Sequence, residues 1–367
     1  FKGITAGLGM NYAFGLVKKL GIYLAYVRYV VPNSEAERKG LQRGDVILSI
    51  NNQQLTRTNA QQLLQKTPII SFATYRFVND KFEPTGKTYT LRQEQTPENP
   101  VLIHKVFNKG GKKIAYLMYN AFVADFDEAL NNAFADFKAQ GVTDLILDLR
   151  YNGGGSVSTA TYLASMITGQ FAGQVFAVER WNSKVQPHRG NSREYFTDNI
   201  VKDSRKIAIN SLQMSKVYII TSENTASASE LVINGLKPYI QVVQVGATTI
   251  GKNQGSVTIY DYIDVQGKVK NPKHKWAMQP LVMKIENAKG VGDYVNGLSP
   301  DIFIEEIGSN LGVLGDESEP LLARTLQEIT GVNASGRAPL STDKTSFSFE
   351  TLSTSTSGYF GLNEMYK

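Results

Sequence analysis

KVYIITSENTASASELVINGLKPYIQVVQVG, residues 216–246, decides the architecture. KVYIITS (216–222) is a run of β-branched and aromatic residues that reads as a buried strand. SASELVINGL (227–236) reads as a helix and IQVVQVG (240–246) as a second strand. Strand, helix and strand in close succession form the repeating unit of a parallel, layered α/β sheet.

The same rhythm extends upstream. KIAYLMY (113–119) and LILDLR (145–150) predict strands. DFDEALNNAFADFKAQG (125–141) predicts an amphipathic helix stopped by Gly141, and TATYLASMITG (159–169) another helix. EPLLARTLQEITG (319–331) predicts a helix near the end. Before residue 100 the pattern is richer in strands. IYLAYVRYVV (22–31), DVILSI (45–50) and KTYTLRQE (87–94) alternate as strands. SEAERKG (34–40) is a short helix capped by Ser34, and NAQQLLQK (59–66) a second with Asn59 as cap. TPENP (96–100) reads as a linker, dividing a β-rich domain (1–98) from an α/β core (99–331). The tail (332–367) is rich in Ser and Thr and is expected to be weakly held.

Composition narrows the chemistry. The chain has 367 residues, 42% hydrophobic and 20% charged, as in ordinary globular proteins. With no cysteine, disulfides, thiolate catalysis and cysteine-bound zinc are excluded. The net charge of +6 comes from scattered Lys and Arg with short clusters such as Lys270–Lys275, so no nucleic-acid partner is expected. No apolar run is long enough for a transmembrane helix, and FKGITAGLGM does not read as a signal peptide.

GATTIGKN (246–253) imitates a phosphate-binding loop, but Asn253 stands where a Mg²⁺-binding Ser or Thr belongs. NQGSVTIYDYIDV after Lys252 predicts strand where a helix N-terminus would have to hold the phosphates. Lys252 therefore needs another role. Ser227 and Ser229 sit where a strand turns into a helix, and the free N–H groups of a first helical turn point at any oxyanion forming there. A serine nucleophile needs a base. His104, His188 and His274 lie in segments without a motif. A lysine can serve when burial disfavours its ammonium form, and Lys252 follows an apolar strand and a glycine.

LILDLRYNGGG (145–155), TASASE (225–230), TIGKNQGS (249–256) and DYVNGLSPDI (293–302) together resemble the C-terminal processing peptidases, the S41 serine peptidases with a Ser–Lys dyad and a PDZ domain. The resemblance implies an α/β fold with a layered core of the ClpP/crotonase-like type. It implies Ser227 as nucleophile and Lys252 as general base, with no cofactor and no metal. Ala228 and either Gly153 or Gly154 match the oxyanion-hole amides. The family often has a glutamine four residues after the lysine. Here Ser256 holds that place and Gln254 lies two residues after, so either is a candidate third member.

AGLGM (6–10) and VVPNSEAERKGLQRGDVILSINNQQL (30–55) resemble a PDZ domain. That likeness implies a carboxylate-binding loop at Gly7, Leu8, Gly9 and Met10, with a peptide added as a strand beside the segment after Gly9. The expected function is a serine endopeptidase acting on unfolded or C-terminally exposed proteins. The alternative is a catalytically silent peptide-binding scaffold or ligand carrier of the same fold. The family implies an extracytoplasmic place, in a bacterial periplasm or envelope, with room for an anchoring segment ahead of residue 1 and for a homo-oligomer.

Overall fold

The computed structural model describes residues 4–78, 81–190, 192–274, 276–308, 310–332, 350–352 and 365–366. The central sheet has the order Val101–Lys109, Lys112–Tyr119, Asp144–Asp148, Lys216–Thr221, Gln241–Gly246, Ile302–Phe303. Its first pair is antiparallel and every later pair parallel. Both faces are covered, which is why these strands read as nearly continuous apolar runs.

Alternation along the strands sorts side chains between two cores. Ala115, Leu117, Leu145, Leu147, Val217 and Ile219 face the helices Asp127–Gln140, Val157–Thr168 and Ala228–Leu236. Tyr116, Met118, Ile146, Tyr218 and Ile220 face the opposite way, against Leu322 and Leu326 of the helix Pro320–Thr330. A second sheet completes the layers, in the order Gly155–Ser156, Met365–Tyr366, Gln254–Ser256, Leu281–Asn287, Val175–Trp181, Ser192–Tyr195.

The N-terminal domain is a separate sheet, Glu350–Leu352, Met10–Val17, Ile22–Val30, Val46–Ile47, Ile69–Val78, Lys81–Arg92. Ser34 caps the helix Glu35–Arg38 by accepting from Glu37 N–H at 3.2 Å. Asn59 stands at the N-cap of the helix Ala60–Lys66 but makes no side-chain cap bond. Its Oδ1 accepts Thr56 N–H and its Nδ2 donates to Gln54 O, because a short amide side chain bonds its own turn as readily as a helix end.

The segment read as a linker is ordered. Ile4–Gly7 pairs antiparallel with Glu94–Pro97. Glu98 is fully buried and accepts Tyr29 O–H at 2.8 Å. Proline is tolerated here because an edge strand leaves one row of N–H groups outside the ladder. Of the tail, Glu350–Leu352 and Met365–Tyr366 form short strands, and the rest of 333–367 lies outside the described residues. An open sheet edge pairs with any extended backbone, a property that composition does not report.

The domain meets the core through buried charge. Arg43 donates to the Tyr151 hydroxyl oxygen at 2.6 Å and to Glu306 at 2.8 Å, while Arg150 pairs with Asp148, Glu306 and, through two nitrogens, Glu319. Arg43 and Arg150 overcome the burial that would raise the Glu306 carboxyl and hold it at about 2. Tyr29 stacks on Tyr151, and Arg28 lies over the same ring.

Candidate active site

Ser227 follows the strand Lys216–Thr221 and opens the helix Ala228–Leu236. Its backbone is at φ 63°, ψ −114°, a region that costs a non-glycine residue about 1–3 kcal/mol. The side chain is fully buried, and among the described residues its Oγ has no hydrogen-bond partner. Such a conformation persists only where surrounding bonds hold it, and they are present. Ala226 N–H donates to Asn152 O at 3.1 Å, and Ile250 N–H donates to Thr225 O at 3.0 Å.

Ser229 separates cleanly from Ser227. Its hydroxyl donates to Asn152 O at 3.0 Å, fastening the helix start to the Asn-Gly-Gly turn. Asn152 is fully buried, with Nδ2 on Tyr119 O and Oδ1 accepting Gly154 N–H at 2.9 Å. Gly154 N–H is thus already committed, whereas Gly153 N–H has no acceptor among the described residues. A Cβ at Gly154 would stand 2.7 Å from Ser227 Cβ and 3.0 Å from Ala228 N, and the residue has φ +109°. Only glycine allows this approach. Ala228 is the first helical residue, so its N–H has no intrahelical acceptor.

Lys252 is half-buried in the turn after the strand Gln241–Gly246, and a strand, Gln254–Ser256, follows it. The phosphate-loop alternative therefore lacks its helix. Glu230 ties the lysine turn to the serine. Its Oε2 accepts Ser227 N–H at 2.7 Å and Lys252 N–H at 2.8 Å, and its Oε1 accepts Gly251 N–H and the Thr249 hydroxyl. Burial pushes this carboxyl above the usual carboxylate range despite the four donors. Gly251 lies against the Val295–Gly297 backbone, and Leu298 N–H donates to Thr249 Oγ1 at 2.7 Å, so DYVNGLSPDI shapes the lysine turn. Buried Tyr294, from the same segment, faces Glu230, and burial and that charge raise its hydroxyl.

Of the two candidate third members, Ser256 is buried and Gln254 exposed, with a bulge between Gly255 and Ser256 breaking the alternation. His104 pairs with Asp136 and His274 with Asp261, both at the surface, and His188 is exposed in the helix Gln186–Arg189. None joins the cluster around Ser227. Sequence reading missed Glu230, Asn152 and Tyr294. For Glu230 a signal existed: S-x-x-E at a helix start is a capping-box pattern.

In the N-terminal domain Gly7, Leu8, Gly9 and Met10 are all buried. Gly7 pairs with Glu94, Gly9 O accepts from Val31 N–H and Ser34 Oγ, and Met10 begins the strand Met10–Val17.

Residues 26–69 match the PDZ domain, and residues 113–302, more than half of the chain, match Peptidase family S41. A Staphylococcus epidermidis protein named as a CtpA-like serine protease is 26% identical over 275 residues, covering 74% of this chain and 49% of its own. A carboxyl-terminal-processing protease of Picosynechococcus is 25% identical over 227 residues, covering 60% of this chain and 49% of its own. The chain thus spans about half the length of these curated relatives. The crystal structure of a Bacteroides fragilis protein assigned to the S41 proteases superposes with a TM-score of 0.73 at 28% identity, covering 90% of this chain and 86% of that one. The shared fold, the PDZ match and the long family match over the Ser227 and Lys252 segments agree: the chain belongs to peptidase family S41.

Proposed function

We infer that the protein is a serine endopeptidase of the C-terminal processing type, with Ser227 as nucleophile and Lys252 as general base. The observation that carries this reading is the joining of their two backbone amides on Glu230 Oε2. A neutral Lys252 amine takes the Ser227 hydroxyl proton as Oγ attacks the scissile carbonyl. The oxyanion is held by Ala228 N–H and Gly153 N–H, the latter favoured because Gly154 N–H is spent on Asn152. The C–N bond then breaks, and the Lys252 ammonium returns its proton to the leaving amine. Water, deprotonated by Lys252, hydrolyses the acyl-enzyme and regenerates Ser227. Ser256, buried and four residues beyond Lys252, is the better placed of the two candidates to orient the amine.

The PDZ domain takes the C-terminal region of the substrate along Met10–Val17, with the carboxylate at the loop Gly7–Met10. An extracytoplasmic, bacterial envelope setting fits the family resemblance. The test is hydrolysis of an unstructured protein with an apolar C-terminus. Ser227→Ala and Lys252→Ala should each abolish cleavage, and activity surviving Lys252→Ala would reject the dyad. A wild type that binds the peptide without cleaving it would instead support a silent scaffold.

A further inference from the structure

The strands Gly155–Ser156 and Gln254–Ser256 begin just after the two candidate motifs, one beside Gly154 and one two residues past Lys252. They do not pair with each other. Met365–Tyr366 lies between them, with Gly155 opposite Met365 and both Ser156 and Ser256 opposite Tyr366, all parallel. The slot therefore accepts an extended backbone, and its walls are the backbone continuations of the turns that carry Gly154 and Lys252.

A second stretch of the same tail lies on the PDZ sheet. Glu350–Leu352 pairs antiparallel with Met10–Val17, placing Phe14 opposite Leu352 and Leu16 opposite Glu350. The other edge of Met10–Val17 is taken by Ile22–Val30, so the tail uses the edge left for an added peptide. The sequence leading into this strand, SFSFE (346–350), alternates polar and apolar residues. Main-chain pairing makes few demands on side chains, so the slot and the PDZ edge both admit many extended sequences.

We propose that Glu350–Leu352 and Met365–Tyr366 act as a built-in competitor of substrate, the second held by strand pairing in the slot between Gly155–Ser156 and Gln254–Ser256 and the first on the PDZ edge at Met10–Val17. Substrates are extended polypeptides that displace it and run parallel to both walls of the slot. The proposal rests on the peptidase reading for what the slot serves, but the pairing itself is measurable without catalysis.

The first experiment uses the full chain carrying Ser227→Ala and a fluorescent synthetic peptide of residues 346–367. Adding Met365→Pro and Tyr366→Pro removes two backbone donors from the resident strand. Peptide affinity should then tighten by about tenfold or more, because a larger fraction of molecules has an open slot. Equal affinity with and without the prolines would overturn the proposal. The second experiment exploits the absence of cysteine in the chain. Leu16→Cys with Glu350→Cys, in the otherwise unaltered protein, should form a disulfide and bind the peptide more weakly when oxidised than after reduction. No disulfide, or binding indifferent to reduction, would also overturn it. Loss of the dyad through an active Lys252→Ala enzyme would leave these binding outcomes unchanged, so the two readings fail separately.

Discussion

Ser227 and Lys252, 25 residues apart in sequence, donate their backbone N–H groups to the same oxygen, Glu230 Oε2, at 2.7 and 2.8 Å. The strained serine and the lysine turn are therefore positioned by one buried carboxylate. Glu230→Ala would leave these two amides, the Gly251 amide and the Thr249 hydroxyl without this acceptor, at about 1–3 kcal/mol for each buried group. Urea denaturation should show a loss of several kcal/mol. Glu230→Gln keeps the volume but turns a donor toward donors. It should lower kcat more than it raises KM, since binding of an extended substrate does not use the carboxylate.

Gly154 lies 2.7 Å, measured from a built Cβ, from Ser227 Cβ. Gly154→Ala should cost cleavage at least about 100-fold, on the scale of losing one oxyanion donor. Gly111→Ala is the control. That glycine also has positive φ, but nothing lies within 4 Å of its built Cβ. It should lose only about 1 kcal/mol of stability and no activity.

The Arg43–Glu306 pair joins the PDZ domain to the core, and Tyr151 in the same network precedes the Asn-Gly-Gly turn. Arg43→Ala leaves Glu306 held by Arg150 and the Tyr151 hydroxyl, so it should destabilise by less than the about 3–5 kcal/mol of a buried pair broken outright. A double-mutant cycle with Glu306→Ala should return a clear coupling energy. The native Glu306 carboxyl lies at about 2, below its ordinary 4.5. Its contribution is therefore present above pH 4.5 and is lost as pH falls toward 2, a loss that Glu306→Gln removes from the acid-denaturation profile.

Glu98 has the opposite sign. Burial raises its carboxyl from 4.5 to about 8, although the Tyr29 hydroxyl bond pulls it down. Between those values the unfolded chain is ionised and the native one protonated, so stability falls with rising pH, by about 1.4 kcal/mol per pH unit. Denaturant midpoints measured from pH 5 to 8 should decline in the wild type, and Glu98→Gln should remove this contribution.

Much of the fold was legible because its signals are local. Gly141 ends the helix Asp127–Gln140 and Ser34 caps Glu35–Arg38, and each needs only the neighbouring few residues to act. The strand–helix–strand run at 216–246 likewise announced a parallel sheet before any contact was known. Asn59 and the TPENP segment misled because one residue type serves several backbone geometries, and the choice among them depends on what packs nearby.

The sequence by itself determined the α/β core, the β-rich front domain and the stretches around Ser227 and Lys252. The family resemblance favoured Ser227 over Ser229, and tertiary structure supplied the physical difference by giving Ser229 to Asn152 O and leaving the Ser227 hydroxyl without a partner among the described residues. Tertiary structure also brought Glu230 to the lysine turn, and laid one piece of a Ser/Thr-rich tail on the edge of one sheet and another between two strands of a second. Helix and strand propensities act over a few residues, but hydrogen-bond partners and sheet neighbours join segments tens to hundreds of residues apart. Which pairs meet is set only when the chain closes on itself and every buried donor must find an acceptor.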